Sequence, residues 1–149
     1  MSARLMWFPL PAVARWSPPG WESYNANPAS MKATLQHFTV EPCSGQKIAI
    51  LGAMGELGEQ SAQFHTALAD DIVHCGMDAV ILVGEDMAHT AAKLEHGLDQ
   101  GVKMSHAESA SEALSEVAKL IGDGDVILIK GSNYLGLSSA VSALVNGEY

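Results

Sequence analysis

Lys47-Ile48-Ala49-Ile50-Leu51-Gly52-Ala53-Met54-Gly55 decides how this chain folds. After Lys47 it is a short, unalternating aliphatic run, Ile48 to Leu51, that ends at a glycine. A strand with one wet face alternates apolar and polar side chains, whereas a strand covered by helices on both faces does not. The same signature returns at Asp78-Ala79-Val80-Ile81-Leu82-Val83 and Asp125-Val126-Ile127-Leu128-Ile129, each ending at or near a glycine. The three runs read as buried parallel strands.

Helical periods lie between them. Phe64, Leu68 and Ile72 repeat at i+4; Ala110, Ala113, Leu114, Val117, Ala118 and Ile121 share one face, and Leu137, Ala140, Val141, Leu144 and Val145 share another. A further helix is expected over about 86 to 98, a short strand near Val102 to Ser105, and a helix over Pro28 to Phe38 ahead of the first strand. Strand and helix therefore alternate, which predicts a doubly wound α/β fold: a mostly parallel Rossmann-like sheet with helices on both faces. Ligands of such sheets bind outside the C-terminal ends of the strands.

Residues 1–21 differ from the rest. They hold Trp7, Trp16 and Trp21 with Pro9, Pro11, Pro18 and Pro19, and show neither period. We expect an irregular leader over 1–21 and one domain over 22–149. Aromatics at an irregular terminus mark interfaces, so the leader is a candidate surface for self-association.

A chain of 149 residues suffices for one domain that buries roughly 70% of its unfolded surface. The balance of 8 basic against 17 acidic residues, net −9, argues against nucleic acid as a partner, since phosphate backbones need a basic face. A mononucleotide is still allowed, because helix N-termini and one or two lysines hold phosphates whatever the net charge. No run is long and apolar enough to cross a bilayer, and no export signal is visible. Cys43 and Cys75 lack paired spacing, which fits neither a disulfide framework nor a zinc knuckle and suggests a reducing cytoplasm.

Three stretches carry candidate chemistry. Glu22-Ser23-Tyr24-Asn25-Ala26-Asn27-Pro28-Ala29-Ser30-Met31 is a polar turn ahead of a helix. Its two asparagines and its tyrosine suit the edge and face of a base, and equally suit an N-cap before a proline at the first helical position. Leu51-Gly52-Ala53-Met54-Gly55-Glu56-Leu57-Gly58 follows the first core strand. Its glycines would admit a ligand to the backbone, but their spacing is not the dinucleotide fingerprint, and a plain strand-to-helix turn explains them as well. Lys130-Gly131-Ser132-Asn133 closes the last strand. It offers an ammonium and backbone amides to an anion, or else a solvated lysine at a helix start.

Two further readings are set aside. Of the histidines, only His89 and His96 form a close helical pair, and no third ligand is in register, so no metal site is expected. His74 and Cys75 are adjacent, and adjacent helical residues point about 100° apart, which predicts a surface histidine and a core thiol rather than a nucleophile pair.

The polar turn and the two loops together resemble the C-terminal domain of the Mur ligase family, in the subgroup that adds D-alanyl-D-alanine. Leu51, Gly52, Met54, Glu56, Leu57, Gly58 and His65 match that subgroup's loop, and Lys130-Gly131-Ser132 matches its later turn. Ala53 replaces the loop's aspartate, and Trp21 stands where an aspartate usually precedes Glu22. The resemblance runs from about Glu22 to the C-terminus. It implies that Tyr24, Asn25 and Asn27 contact a nucleotide, and that Glu56, His65, Lys130 and Ser132 line the acceptor side.

For the complete ligase of that subgroup the resemblance implies that ATP phosphorylates the terminal carboxylate of UDP-N-acetylmuramoyl-tripeptide and the amine of D-alanyl-D-alanine attacks the acyl phosphate, with magnesium held by the central domain. The C-terminal domain closes over the cleft and positions the acceptor amine, a contribution of orientation and water exclusion. This sequence has no glycine-rich loop ending in lysine and serine or threonine. We therefore expect the isolated chain to lack ligase activity, as a fragment, a truncated gene product or a domain acting with partners. The alternative is a free-standing α/β module that binds a small ligand or nucleotide at its strand-end cleft.

Overall fold

A computed structural model of the chain describes residues 4–7, 28–55, 57–95, 102–131 and 136–147. They form a five-stranded, wholly parallel sheet in the order β1-β5-β2-β3-β4, with β1 Arg4–Trp7, β2 Lys47–Gly52, β3 Ala79–Val83, β4 Lys103–Ala107 and β5 Val126–Lys130. The helices are α1 Pro28–Thr39, α2 Ser61–Cys75, α3 Ala88–Glu95, α4 Ala110–Ala118 and α5 Leu137–Asn146, with 3₁₀ turns at Gly58–Gln60 and Glu85–Met87 leading into α2 and α3.

Every residue of β3 and β5 is buried, and so is β2 after Lys47, which is why these runs lack alternation. Their side chains divide between two cores. Ala49, Leu51, Val80, Leu82, Val126 and Leu128 meet Met31, Leu35 and Phe38 of α1, Leu68 and Ile72 of α2, and Ala91 and Leu94 of α3. Ile48, Ile50, Ile81, Val83, Ile127 and Ile129 meet Ala113 and Val117 of α4 and Leu137, Ala140 and Leu144 of α5. Each fully buried Leu, Ile or Phe contributes about 1.5–3 kcal/mol of transfer free energy, so two cores back to back hold the central strands firmly.

Local signals set the helix ends. Pro28 opens α1, where a missing N–H costs nothing. At the other end of α1, Lys47 Nζ donates to the carbonyls of Phe38 (3.0 Å) and Thr39 (2.8 Å), pinning the helix terminus to the start of β2. Gly76, at φ 71°, ends α2 in the left-handed conformation. Ser109 caps α4 by accepting from the Glu112 amide, while the Glu112 carboxylate accepts from the Glu108 amide.

Two expectations change. Arg4–Trp7, inside the stretch expected to be irregular, forms the edge strand β1 along β5. An edge strand of four residues is too short to show a period, and Pro9 follows it closely. The helix expected over about 86 to 98 divides into a 3₁₀ turn and α3, which is described as far as Glu95. Within the described residues no helix is long and apolar enough to cross a membrane.

Candidate functional site at the strand switch

The order of the strands sets a switch point between β2 and β5. From β2 the chain steps outward through α2 to β3 and through α3 to β4, then returns past both by α4 to β5 on the other side of β2. The helices that follow β2 and β5 lie on opposite faces of the sheet. At the carboxyl ends of this strand pair the connections diverge, and that is where open α/β sheets bind ligands.

Register brings the two sequence motifs together there. Leu51 pairs with Lys130, so the next residues, Gly52 and Gly131, abut. A Cβ on Gly131 would stand 2.7 Å from Gly52 Cα and 2.6 Å from Leu137 Cδ1, closer than carbon atoms approach. The glycine is therefore demanded by the near contact of the two strand ends. Beyond Gly52 the loop turns under a tether: the Ala53 amide donates to the Val83 carbonyl at 2.8 Å. Ala53 and Met54 are both buried.

Lys130 is the unusual charge. It is 3% exposed at the end of β5. Among the described residues no carboxylate pairs with it, and burial pulls its ammonium below the ordinary lysine value of 10.5. A buried cation at a strand switch, with no carboxylate partner among the described residues, suits an anionic ligand group.

His65 sits beneath the other wall, wholly buried on α2. Its Nε2 accepts from the Met54 amide at 2.9 Å, and its Nδ1 lies 2.7 Å from the Ser61 carbonyl and 3.2 Å from Ser61 Oγ. Ser61 Oγ donates to Asp86 Oδ2 at 3.3 Å, and Thr90 Oγ1 donates to the His65 carbonyl at 2.6 Å. The loop after β2 is thus held through one ring to the turn after β3.

A cavity of about 330 Å³ adjoins the loop, walled by Pro28, Ala29, Met54, Phe64, Ala67 and Leu68 with Lys32 and Asp71 as its charged members. Pro28, the first residue of α1, lines this cavity together with Met54. Tyr24, Asn25 and Asn27 themselves, together with Glu56 and Ser132, lie outside the described residues, as does His96.

Of the expected site residues, His65 and Lys130 are described: Lys130 ends β5, and His65 lies on α2 with its ring bonded to the loop after β2. The sequence motifs do not single out Ser61 and Asp86, which support His65; the i, i+4 spacing of Ser61 and His65 is the one available signal. Elsewhere, His74 is exposed and bonds the Asp70 carbonyl, while the Cys75 thiol is buried against the Leu35 carbonyl, as their adjacency predicted. Among the described residues no cluster of three metal-ligating side chains occurs.

Comparison with known proteins gives this geometry its relatives. The sequence profile described as "Mur ligase, glutamate ligase domain" matches residues 22–133. The UDP-N-acetylmuramoyl-tripeptide–D-alanyl-D-alanine ligase of Mycobacterium leprae (strain TN) is 31% identical over 140 residues, covering 83% of this chain and 27% of the ligase. That of Synechocystis sp. is 32% identical over 127 residues, covering 83% and 26%. Among solved structures, MurF from Acinetobacter baumannii superposes with a TM-score of 0.69 at 30% identity, covering 84% of this chain and 27% of that one. MurF ligase from Thermotoga maritima, in complex with ADP, gives a TM-score of 0.64 at 25% identity over 85% and 27%. The chain spans about a quarter of the length of the relatives it matches.

Proposed function

This chain belongs to the Mur ligase family and is built as its glutamate ligase domain, and from that premise we propose that it is the acceptor-side domain of an ATP-dependent ligase joining D-alanyl-D-alanine to UDP-N-acetylmuramoyl-tripeptide. The observation that carries the reading is Lys130: a buried ammonium without a carboxylate partner among the described residues, set where the turn after β5 meets the loop after β2. A dipeptide acceptor brings one free carboxylate and one nucleophilic amine. Charge pairing of the carboxylate with Lys130 would anchor the acceptor and leave its amine to be aimed, with Glu56 and Ser132 on the same side. Tyr24, Asn25 and Asn27 would meet the nucleotide from the turn that leads into Pro28.

The phosphorylation of the tripeptide carboxylate is assigned to no residue of this chain. Its sequence contains no loop suited to wrapping a triphosphate, so the domain's share is orientation and exclusion of water, and the 149-residue chain by itself is inactive as a ligase.

Titration of D-alanyl-D-alanine into the chain, followed by amide NMR, tests this. Saturable shifts centred on residues 52–57 and 130–132 are the expected result, and their loss in Lys130→Met ties them to the ammonium. Shifts that are absent, or that centre elsewhere, overturn it. The departure at Ala53, which is buried and bonded by its amide to Val83, favours a second reading, a free-standing small-ligand or nucleotide-binding module. Binding of ADP with no response to the dipeptide selects that one.

A further inference from the structure

We propose that His65 is a positioning residue: its neutral ring, carrying hydrogen on Nδ1, holds the Met54 amide and so fixes the Gly52–Gly55 wall of the crevice. The inference rests on reading that crevice as the acceptor-side site, and it gives His65 a role different from direct contact with the acceptor.

The tautomer follows from the partners. The Met54 amide donates and never accepts, so Nε2, 2.9 Å away, must present its lone pair. The Ser61 carbonyl accepts and never donates, so Nδ1, 2.7 Å away, must carry the hydrogen. Two independent bonds require the same ring state. Ser61 Oγ, 3.2 Å from Nδ1, directs its own hydrogen to Asp86 Oδ2 and therefore faces the ring as an acceptor.

The ring is 0% exposed and both of its nitrogens are committed, which leaves no polar atom for a ligand. Any influence on the crevice must pass through Met54. The residue before Met54 is tethered to β3 by the Ala53 amide, and the His65 bond is the next tether along the loop. Through Ser61 and Asp86 that tether is anchored to the turn after β3, so the loops after two neighbouring strands are set as one unit.

Three substitutions separate this role from a general contribution to folding. Glutamine reaches as far as Nε2 and can keep an acceptor for the Met54 amide. Asparagine reaches only as far as Nδ1 and supplies its donor without that acceptor, and leucine supplies neither. In the 149-residue chain, hydrogen exchange at the Met54 amide is expected to stay within about tenfold of wild type in His65→Gln. It should accelerate about 10- to 100-fold in His65→Asn and His65→Leu, judged against amides of Val80–Leu82, which report global opening. The affinity for D-alanyl-D-alanine should fall in the same order. Equal protection of Met54 in the glutamine and asparagine variants overturns the proposal.

A measurement on the unmodified chain guards against a variant that does not fold. The ¹⁵N resonances of the His65 ring should show a protonated Nδ1 and an unprotonated Nε2, and the reverse tautomer also overturns the proposal. If the unmodified chain ignores the dipeptide while Met54 exchange and the ring resonances behave as stated, the acceptor-site reading fails and the positioning of the loop by His65 stands.

Discussion

Gly131 and Gly52 face each other across the carboxyl ends of β5 and β2 so closely that one added methyl on Gly131 would lie 2.7 Å from the Gly52 Cα and 3.0 Å from its nitrogen. The contact is backbone against methyl, and backbone in the middle of a parallel sheet has nowhere to go. Gly131→Ala is expected to destabilise the chain by roughly 1–3 kcal/mol through overpacking, measured as a shifted midpoint in urea with an unchanged slope. Trimming Leu137, the other near neighbour, should not rescue it. A rescue would mean that the side chain, rather than the strand ends, sets the limit.

Asp125 performs a comparable task at the opposite edge. It is 3% exposed; its Oδ1 accepts from the Gln46 amide at 2.7 Å and its Oδ2 from the Gly122 amide at 2.8 Å. One carboxylate thus joins the starts of β2 and β5. Asp125→Ala strands two amides and is expected to cost about 2–4 kcal/mol, with Asp125→Asn costing less because one acceptor survives. Equal losses in denaturant melts would show that packing around Gly45 and Gly124, and not the pair of bonds, is what the side chain provides.

These residues also show where sequence reading succeeds. The runs at 48–51, 79–83 and 126–129 are legible because strands covered on both faces must be apolar throughout their buried length. That the Met54 loop and Lys130 both lie at carboxyl ends of strands is legible too, because parallel strands all end on one edge, but their adjacency depends on β5 pairing with β2, a strand order that no local pattern encodes. Burial is the part that spacing does not encode. Nothing in the sequence distinguishes a lysine that lines a cleft in water from one enclosed at 3% exposure, or a histidine that touches a ligand from one whose two nitrogens are spent on Met54 and Ser61. β1 escapes for another reason: its place in the sheet comes from pairing with β5, a non-local contact with no local signature.

The two thiols offer a test of the α1–α2 core. Cys75 is 4% exposed, its Sγ donates to the Leu35 carbonyl at 3.4 Å, and burial pushes its pKa upward despite the opposing influence of Thr39 and Lys47. Cys43 is only partly buried. Since the thiolate is the reactive species, iodoacetamide under native conditions should label Cys43 first, and labelling of Cys75 should follow the rate of opening of the fold. Faster labelling at Cys75 would show that the helices part far more readily than their packing implies.

Lys130 links stability and binding to pH in opposite directions. Burial lowers its pKa in the folded chain, while the unfolded chain keeps the ordinary value of 10.5. Between those two values the unfolded state holds the extra proton, so stability rises with pH across that window and is flat below it. Lys130→Met should remove this slope and leave the chain more stable than wild type at neutral pH, because a buried charge with no carboxylate partner among the described residues is lost. An anionic ligand reverses the sign. A carboxylate beside the amine favours the ammonium, so affinity for D-alanyl-D-alanine should be greatest below the lowered pKa and should fall as pH rises through it. Stability curves and dipeptide titrations over the same alkaline range read both slopes. A wild-type chain whose stability shows no Lys130-dependent rise, or whose dipeptide affinity does not decline, does not hold its lysine as an enclosed cation open to an anionic ligand.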